Sequence, residues 1–125
     1  MGMSADGVVD AFIDAINRKD LDAACGLLAD DVEYDNVPMA KVHGRDAVQQ
    51  LLGPMIDGCS EIEWIVHRQA CTGSLVMNER LDRFNMAHGW VDMPCAGIFE
   101  VSDGQIVLWR DYFDLPTYTN QLPGS

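Results

Sequence analysis

The chain has 125 residues, 48% hydrophobic and 22% charged, proportions ordinary for one soluble globular domain over residues 1–125. Its net charge of −12 argues against a nucleic-acid backbone, an anionic membrane or a polyanionic substrate as partner. Each of those needs clustered Lys and Arg.

Residues 4–18 read as a helix, with Ser4 as cap and Val8, Val9, Phe12, Ile13 and Ile16 on one face. After the "RKD" turn, Asp20 can cap a second helix with Leu21, Ala24, Cys25 and Leu28 inward. "DDVEYDNVP" alternates, so Val32, Tyr34 and Asn36 share one side of a short extended segment. Gly44 leads into a third helix with Val48, Leu51, Leu52, Met55 and Ile56 as its stripe, a kink expected at Gly53-Pro54 and Gly58 as its C-terminal cap.

From residue 60 the period changes to two. Ile62, Trp64 and Val66 mark one strand, 74–84 a second, 86–101 a third with a bulge or bend at Pro94 and Gly97, and 105–114 the last. Asp103-Gly104 is a hairpin signal, and "LPTYTNQLPGS" is a tail that could cover one end, with Asp114 as its cap. Helices followed by long antiparallel strands predict an α+β layer fold, a bent sheet wrapped over helices to enclose a pocket.

Cys25, Cys59, Cys71 and Cys95 form no C-x-x-C pair and lie in apolar contexts, which suits reduced core residues and a cytoplasmic location. No cleavable leader is legible in "MGMSADG", and no stretch approaches the ~18 apolar residues of a membrane span. His43, His67 and His88 lack metal-ligand spacing, so no metal site is expected.

Two strands carry charge among apolar neighbours. Val76, Asn78, Arg80, Asp82 and Phe84 share one face of 74–84, while Val107, Trp109, Asp111 and Phe113 share one face of the last strand. A lone carboxylate so buried costs several kcal/mol unless paired. Arg80 set between Asp82 and Asp111 would pair both. One cation with two anions remains negative, so one carboxyl would keep its proton, leaving an acid and a base side by side. From these residues alone a solvated cross-strand ion pair is the more common arrangement, and Asp35-Asn36 before Val37-Pro38 is ordinary turn chemistry.

"EYDNVP", "NERLDRF" and "GIFEVSDGQIVLWRDYFDL" resemble the limonene epoxide hydrolase family, within the nuclear-transport-factor-2-like (SnoaL-like) fold group. The resemblance covers nearly the whole chain. It implies a strongly curved mixed sheet forming a cone-like pocket, about three N-terminal helices packed in its concavity, and a homodimer. The implied reaction is one-step addition of water to a small apolar epoxide, cyclic or terpenoid-like, giving a vicinal diol with no cofactor, metal or covalent intermediate. Matched by motif, Asp111 would be general base, Tyr34 and Asn36 would help hold the attacking water, Asp82 would be general acid, and Arg80 would bridge the aspartates. Trp109, Phe113, Val76 and Phe84 would line the pocket. Other activities of the fold group stay open, namely a ketosteroid-isomerase-like or polyketide-cyclase-like enzyme, or a non-catalytic ligand-binding or dimerisation module.

Overall fold

Ser4 opens the first helix, α1 (Ala5–Asn17), by accepting a hydrogen bond from Gly7 N–H on its hydroxyl. Asp20 opens α2 (Leu21–Gly26) in the same way, accepting from Ala23 N–H at 3.0 Å. Both caps satisfy backbone donors that have no partner within the helix. The computed structural model describes residues 3–124; Met1 and Gly2, which begin "MGMSADG", and Ser125, which ends the tail considered above, lie outside the described residues.

Val8, Val9, Phe12, Ile13 and Ile16 form the buried stripe of α1 as their spacing predicts. Complete burial of such side chains contributes about 1.5–3 kcal/mol each, which holds α1 against the sheet. Leu28 departs from expectation: α2 stops at Gly26, and Leu28 is buried as the first residue of β1 (Leu28–Asn36). After the short β2 (Val42–His43), α3 (Arg45–Asp57) runs through Pro54 and ends at Gly58. Its buried stripe is Val48, Leu52 and Ile56; Leu51, expected inward, is exposed.

The long strands are β3 (Glu61–Thr72), β4 (Leu75–Met86), β5 (Gly89–Ser102) and β6 (Gln105–Phe113). They join β1 and β2 in one mixed sheet ordered β2-β1-β6-β5-β4-β3. Asp103 and Gly104 both have positive φ, the backbone that a two-residue β5–β6 hairpin requires. Only β1 and β6 run parallel, with Tyr34 beside Trp109 and Asn36 beside Asp111. A pair 75 residues apart in sequence (Asn36 and Asp111) therefore becomes adjacent on one face.

Two expectations for the third strand change. Met86 ends β4 rather than starting β5, and Pro94 and Gly97 stay in register opposite Leu81 and Asn78. The register shifts lie at Leu28/Glu33, Val66/Arg68 and Glu100/Val101, and such irregularities bend strands and help curve the sheet.

The concave face holds the core. Trp109 is completely buried at its centre, with Tyr34 stacked on it at 3.8 Å between ring centroids and Phe12 of α1 meeting it edge-on at 4.9 Å. Asn17, at the end of α1, clamps β3 by accepting from Trp64 N–H at 2.7 Å and donating to Trp64 C=O at 3.1 Å. Asp114 caps the closing helix α4 (Leu115–Thr119) through Thr117 N–H, as its position before the tail predicts. Of the cysteines, Cys25, Cys59 and Cys95 are buried but Cys71 is exposed, because β3 leaves the core beyond its bulge. Among the described residues no helix is long and apolar enough to cross a membrane.

Candidate active site

Strand alternation puts Asn78, Arg80 and Asp82 of β4 on the buried face, every one at most 5% exposed. The guanidinium of Arg80 engages Asp82 with two hydrogen bonds, Nε to Oδ1 at 3.0 Å and Nη2 to Oδ2 at 2.9 Å. The same Nη2 donates to Asp111 Oδ2 at 2.9 Å. The Asp–Arg–Asp bridge inferred from the strand pattern is thus present, and it is buried rather than solvated.

Neighbouring strands complete the cluster. Trp109 Nε1–H also donates to Asp111 Oδ2, at 3.1 Å, while Oδ1 of Asp111 has no hydrogen-bond partner. The Cys95 thiol of β5 donates to Asp82 Oδ2 at 3.3 Å. Asn78 Oδ1 accepts from Arg80 Nη1 at 3.0 Å. The parallel β1 brings Tyr34 and Asn36 alongside, beside Trp109 and Asp111 of β6.

The electrostatics follow from burial and from one cation shared by two anions. Burial pushes the Asp111 carboxyl up; Arg80 pulls it back and the charge of Asp82 pushes it further up, with a net rise. Burial works against the charge of Arg80, but Asp111 and Asp82 outweigh it and hold the guanidinium firmly protonated. Burial, reinforced by the Asp111 charge, keeps the Tyr34 phenol protonated and therefore able to donate. Burial likewise keeps Cys95 a thiol, against the pull of Arg80. Asp82, Cys95 and Asp111 are the one set of metal-ligating residue types that converges among the described residues. Arg80 already supplies the positive charge that engages both carboxylates, and the sulfur is protonated.

A cavity of about 210 Å³ opens beside this cluster. Asp82, Asp111, Tyr34 and Asn36 supply its polar wall. Leu52 and Met55 of α3, Trp64, Phe84, Met93 and Phe113 of the sheet, and Tyr118 of α4 supply its apolar wall. Leu51 and Met39 also line it and are exposed, which places them at the mouth. Phe84 and Phe113 therefore stand where the pocket reading expected them. Val76 and Trp109 do not: Val76 is buried further along β4, and Trp109 lies behind Tyr34, in the core rather than on the wall. Alternation fixes a side chain's face but not its depth along the strand. Asn78, Cys95 and Tyr118 were not singled out as functional. The signal for Asn78 was present, as a polar residue on the face that carries Arg80 and Asp82.

A paired acid and base in a largely apolar recess suits proton transfer at both ends of a small substrate. The model of the limonene-1,2-epoxide hydrolase catalytic domain matches residues 3–123. The chain belongs to this family. Epoxide hydrolase is accordingly its enzyme class. The epoxide hydrolase EphG of Mycobacterium tuberculosis (strain ATCC 25618 / H37Rv) is 37% identical over 107 residues, covering 86% of this chain and 71% of EphG. The solved structure of an M. tuberculosis LEH-like epoxide hydrolase superposes with a TM-score of 0.84 at 35% identity, over 93% of this chain and 86% of that one. A Catenulispora acidiphila protein with a ketosteroid isomerase-like fold reaches a TM-score of 0.80 at 18% identity, covering 91% and 90%, which shows the shared fold alone. This epoxide hydrolase has the mixed, curved sheet and the helices of that fold group.

Proposed function

We propose that this member of the limonene-1,2-epoxide hydrolase family adds water to a small apolar epoxide, cyclic or terpenoid-like, in one step. Asp111 takes a proton from water as the water oxygen bonds to a ring carbon. The carbon–oxygen bond of the ring breaks, and the departing oxygen takes a proton from Asp82. The product is a vicinal diol. Atoms balance within the step: one water is consumed, Asp111 gains a proton and Asp82 loses one. Tyr34 and Asn36 hold the water, and Arg80 keeps the two carboxyls at a fixed separation. The pair then exchanges its proton, through solvent or within the Arg80 cluster, before the next turnover.

The observation that carries this reading is the single Arg80 Nη2 donating to both buried aspartates at the edge of an apolar cavity. Positioned proton transfer at each end lowers the barrier by about 3–5 kcal/mol, equivalent to roughly a hundred- to ten-thousand-fold. A carboxylate raised by burial is a stronger base while it remains ionised, which suits Asp111 to its role. Drug-sized ligands occupy pockets of roughly 300–1,000 Å³, so a recess of about 210 Å³ favours a compact substrate.

Incubation with cyclohexene oxide and limonene-1,2-oxide tests the activity directly, with diol as the expected product. A single turnover in water carrying a heavy oxygen isotope tests the step. Label in the diol after that first turnover supports direct attack, and label in an aspartate instead overturns it. The single domain over residues 1–125, the cytoplasmic location and the homodimer belong to the same proposal. Exposed Met77 and Tyr112 on the outer sheet face support the dimer, and sedimentation at monomer mass would remove it.

A further inference from the structure

Arg80 has a third partner besides its two aspartates. Its Nη1 donates to Asn78 Oδ1 at 3.0 Å, and Asn78 is itself fixed, since its Nδ2 donates to Gln69 Oε1 at 3.1 Å. Gln69 Nε2 in turn donates to Asp10 Oδ1 at 2.9 Å, on the exposed side of α1. The register shift between Val66 and Arg68 makes this possible, because it sets Gln69 directly opposite Asn78. A line of hydrogen bonds therefore runs from the surface of α1 to the buried guanidinium.

Gly97 lies in register between Asn78 on one side and Asp111 on the other. A Cβ at Gly97 would collide with Arg80 Nη1 and come within 2.9 Å of both Asn78 Oδ1 and Asp111 Oδ1. The φ of Gly97 is not among the positive values, so glycine is needed here for space rather than for backbone freedom. The absent side chain leaves the room that the Nη1–Asn78 contact occupies.

We propose that Asn78 is a positioning residue for the reaction: it holds the third edge of the Arg80 guanidinium, in the space Gly97 leaves, so that Nη2 stays aimed at both aspartates. The role rests on the acid–base reading above. A planar fork held along all its edges cannot tilt, whereas one held by the aspartates alone can follow either of them as the proton moves. The titratable groups facing this centre are Asp82, Asp111, Cys95 and Tyr34, and Asp10 stands at the far end of the chain of bonds.

The test is hydrolysis of limonene-1,2-oxide by the full chain across pH. Asn78→Ala is expected to lower kcat roughly ten- to a hundredfold while leaving KM within about threefold, because what is lost is orientation in the transition state. Its acid limb should move to higher pH, since a loosened Arg80 pulls less on Asp111. Asn78→Asp keeps the shape and should move that limb upward too, because a third carboxylate then shares the cation. It also serves where Asn78→Ala fails to fold. Gly97→Ala should lower kcat, and by a smaller factor in the Asn78→Ala background, where the guanidinium can give way. Unchanged kcat and an unmoved acid limb in both Asn78 variants would overturn the role. Full turnover in Asp111→Asn and Asp82→Asn would instead overturn the acid–base reading itself. Dead aspartate variants beside normal Asn78 variants would remove only the positioning role.

Discussion

Asp82 and Asp111 accept hydrogen bonds from the same nitrogen, Arg80 Nη2, each at 2.9 Å. Two carboxylates that share one donor in a buried site cannot titrate independently, and moving a proton onto either changes the environment of the other.

Asp111→Asn should reduce turnover of limonene-1,2-oxide by at least about a hundredfold, since an amide cannot take a proton from water. The same substitution should raise the melting temperature, because burial and the Asp82 charge outweigh Arg80 and leave the charged form disfavoured in the fold. Turnover and thermal melts on one preparation check both. A dead and less stable variant would contradict the stability half.

The pH dependence has a definite sign. Asp111 must be ionised to act, so kcat/KM should climb through an acid limb whose midpoint lies above the ordinary carboxylate value of 3.8. For stability the sign is opposite. The folded carboxyl binds its proton more tightly than the unfolded one, so its contribution is fully present below 3.8 and is lost as pH rises through the folded value. Urea denaturation across that window, comparing the native chain with Asp111→Asn, isolates the contribution of this group.

Arg80→Met should destabilise the protein by about 3–5 kcal/mol at neutral pH, since it leaves the buried Asp82–Asp111 pair without its cation. The loss should shrink in acid as Asp111 takes up its proton. Arg80→Lys should retain part of the stability but lose most of the activity, because one ammonium cannot reproduce the double contact to Asp82 while serving Asp111. Denaturation midpoints and initial rates decide both.

Substrate size should matter sharply. The recess of about 210 Å³ is walled by Phe84, Phe113 and Tyr118, so kcat/KM should fall once an epoxide outgrows a single substituted ring. Phe84→Ala should extend the range to bulkier epoxides while losing about 3–5 kcal/mol of stability. A rate series over epoxides of increasing bulk, run on both chains, measures this directly.

Asn17→Ala should cost about 1–3 kcal/mol, since it leaves the Trp64 N–H and C=O without their partner on α1. The acid limb of the pH profile should not move, because Asn17 touches no member of the acid–base cluster. Chemical denaturation together with that profile separates anchoring of the strand from chemistry.

Alternation in β4 and β6 was enough to put Arg80 on one face with Asp82, and Asp111 on one face with Trp109 and Phe113, while the burial of those faces came from the packed core. Asp103-Gly104 announced its hairpin, and Ser4, Asp20 and Asp114 their helix caps, because turn and cap chemistry is local. Only the tertiary structure decided that β1 runs parallel beside β6, so that Tyr34 and Asn36 reach the neighbourhood of Asp111. It also decided that Trp109 packs behind Tyr34, that α4 closes the pocket with Tyr118, and that the empty side of Gly97 receives the Arg80–Asn78 contact. The physical reason is range. Periodicity records which face a side chain takes within its own strand, whereas depth along a face and the choice of neighbour depend on how distant strands register once the whole core is packed.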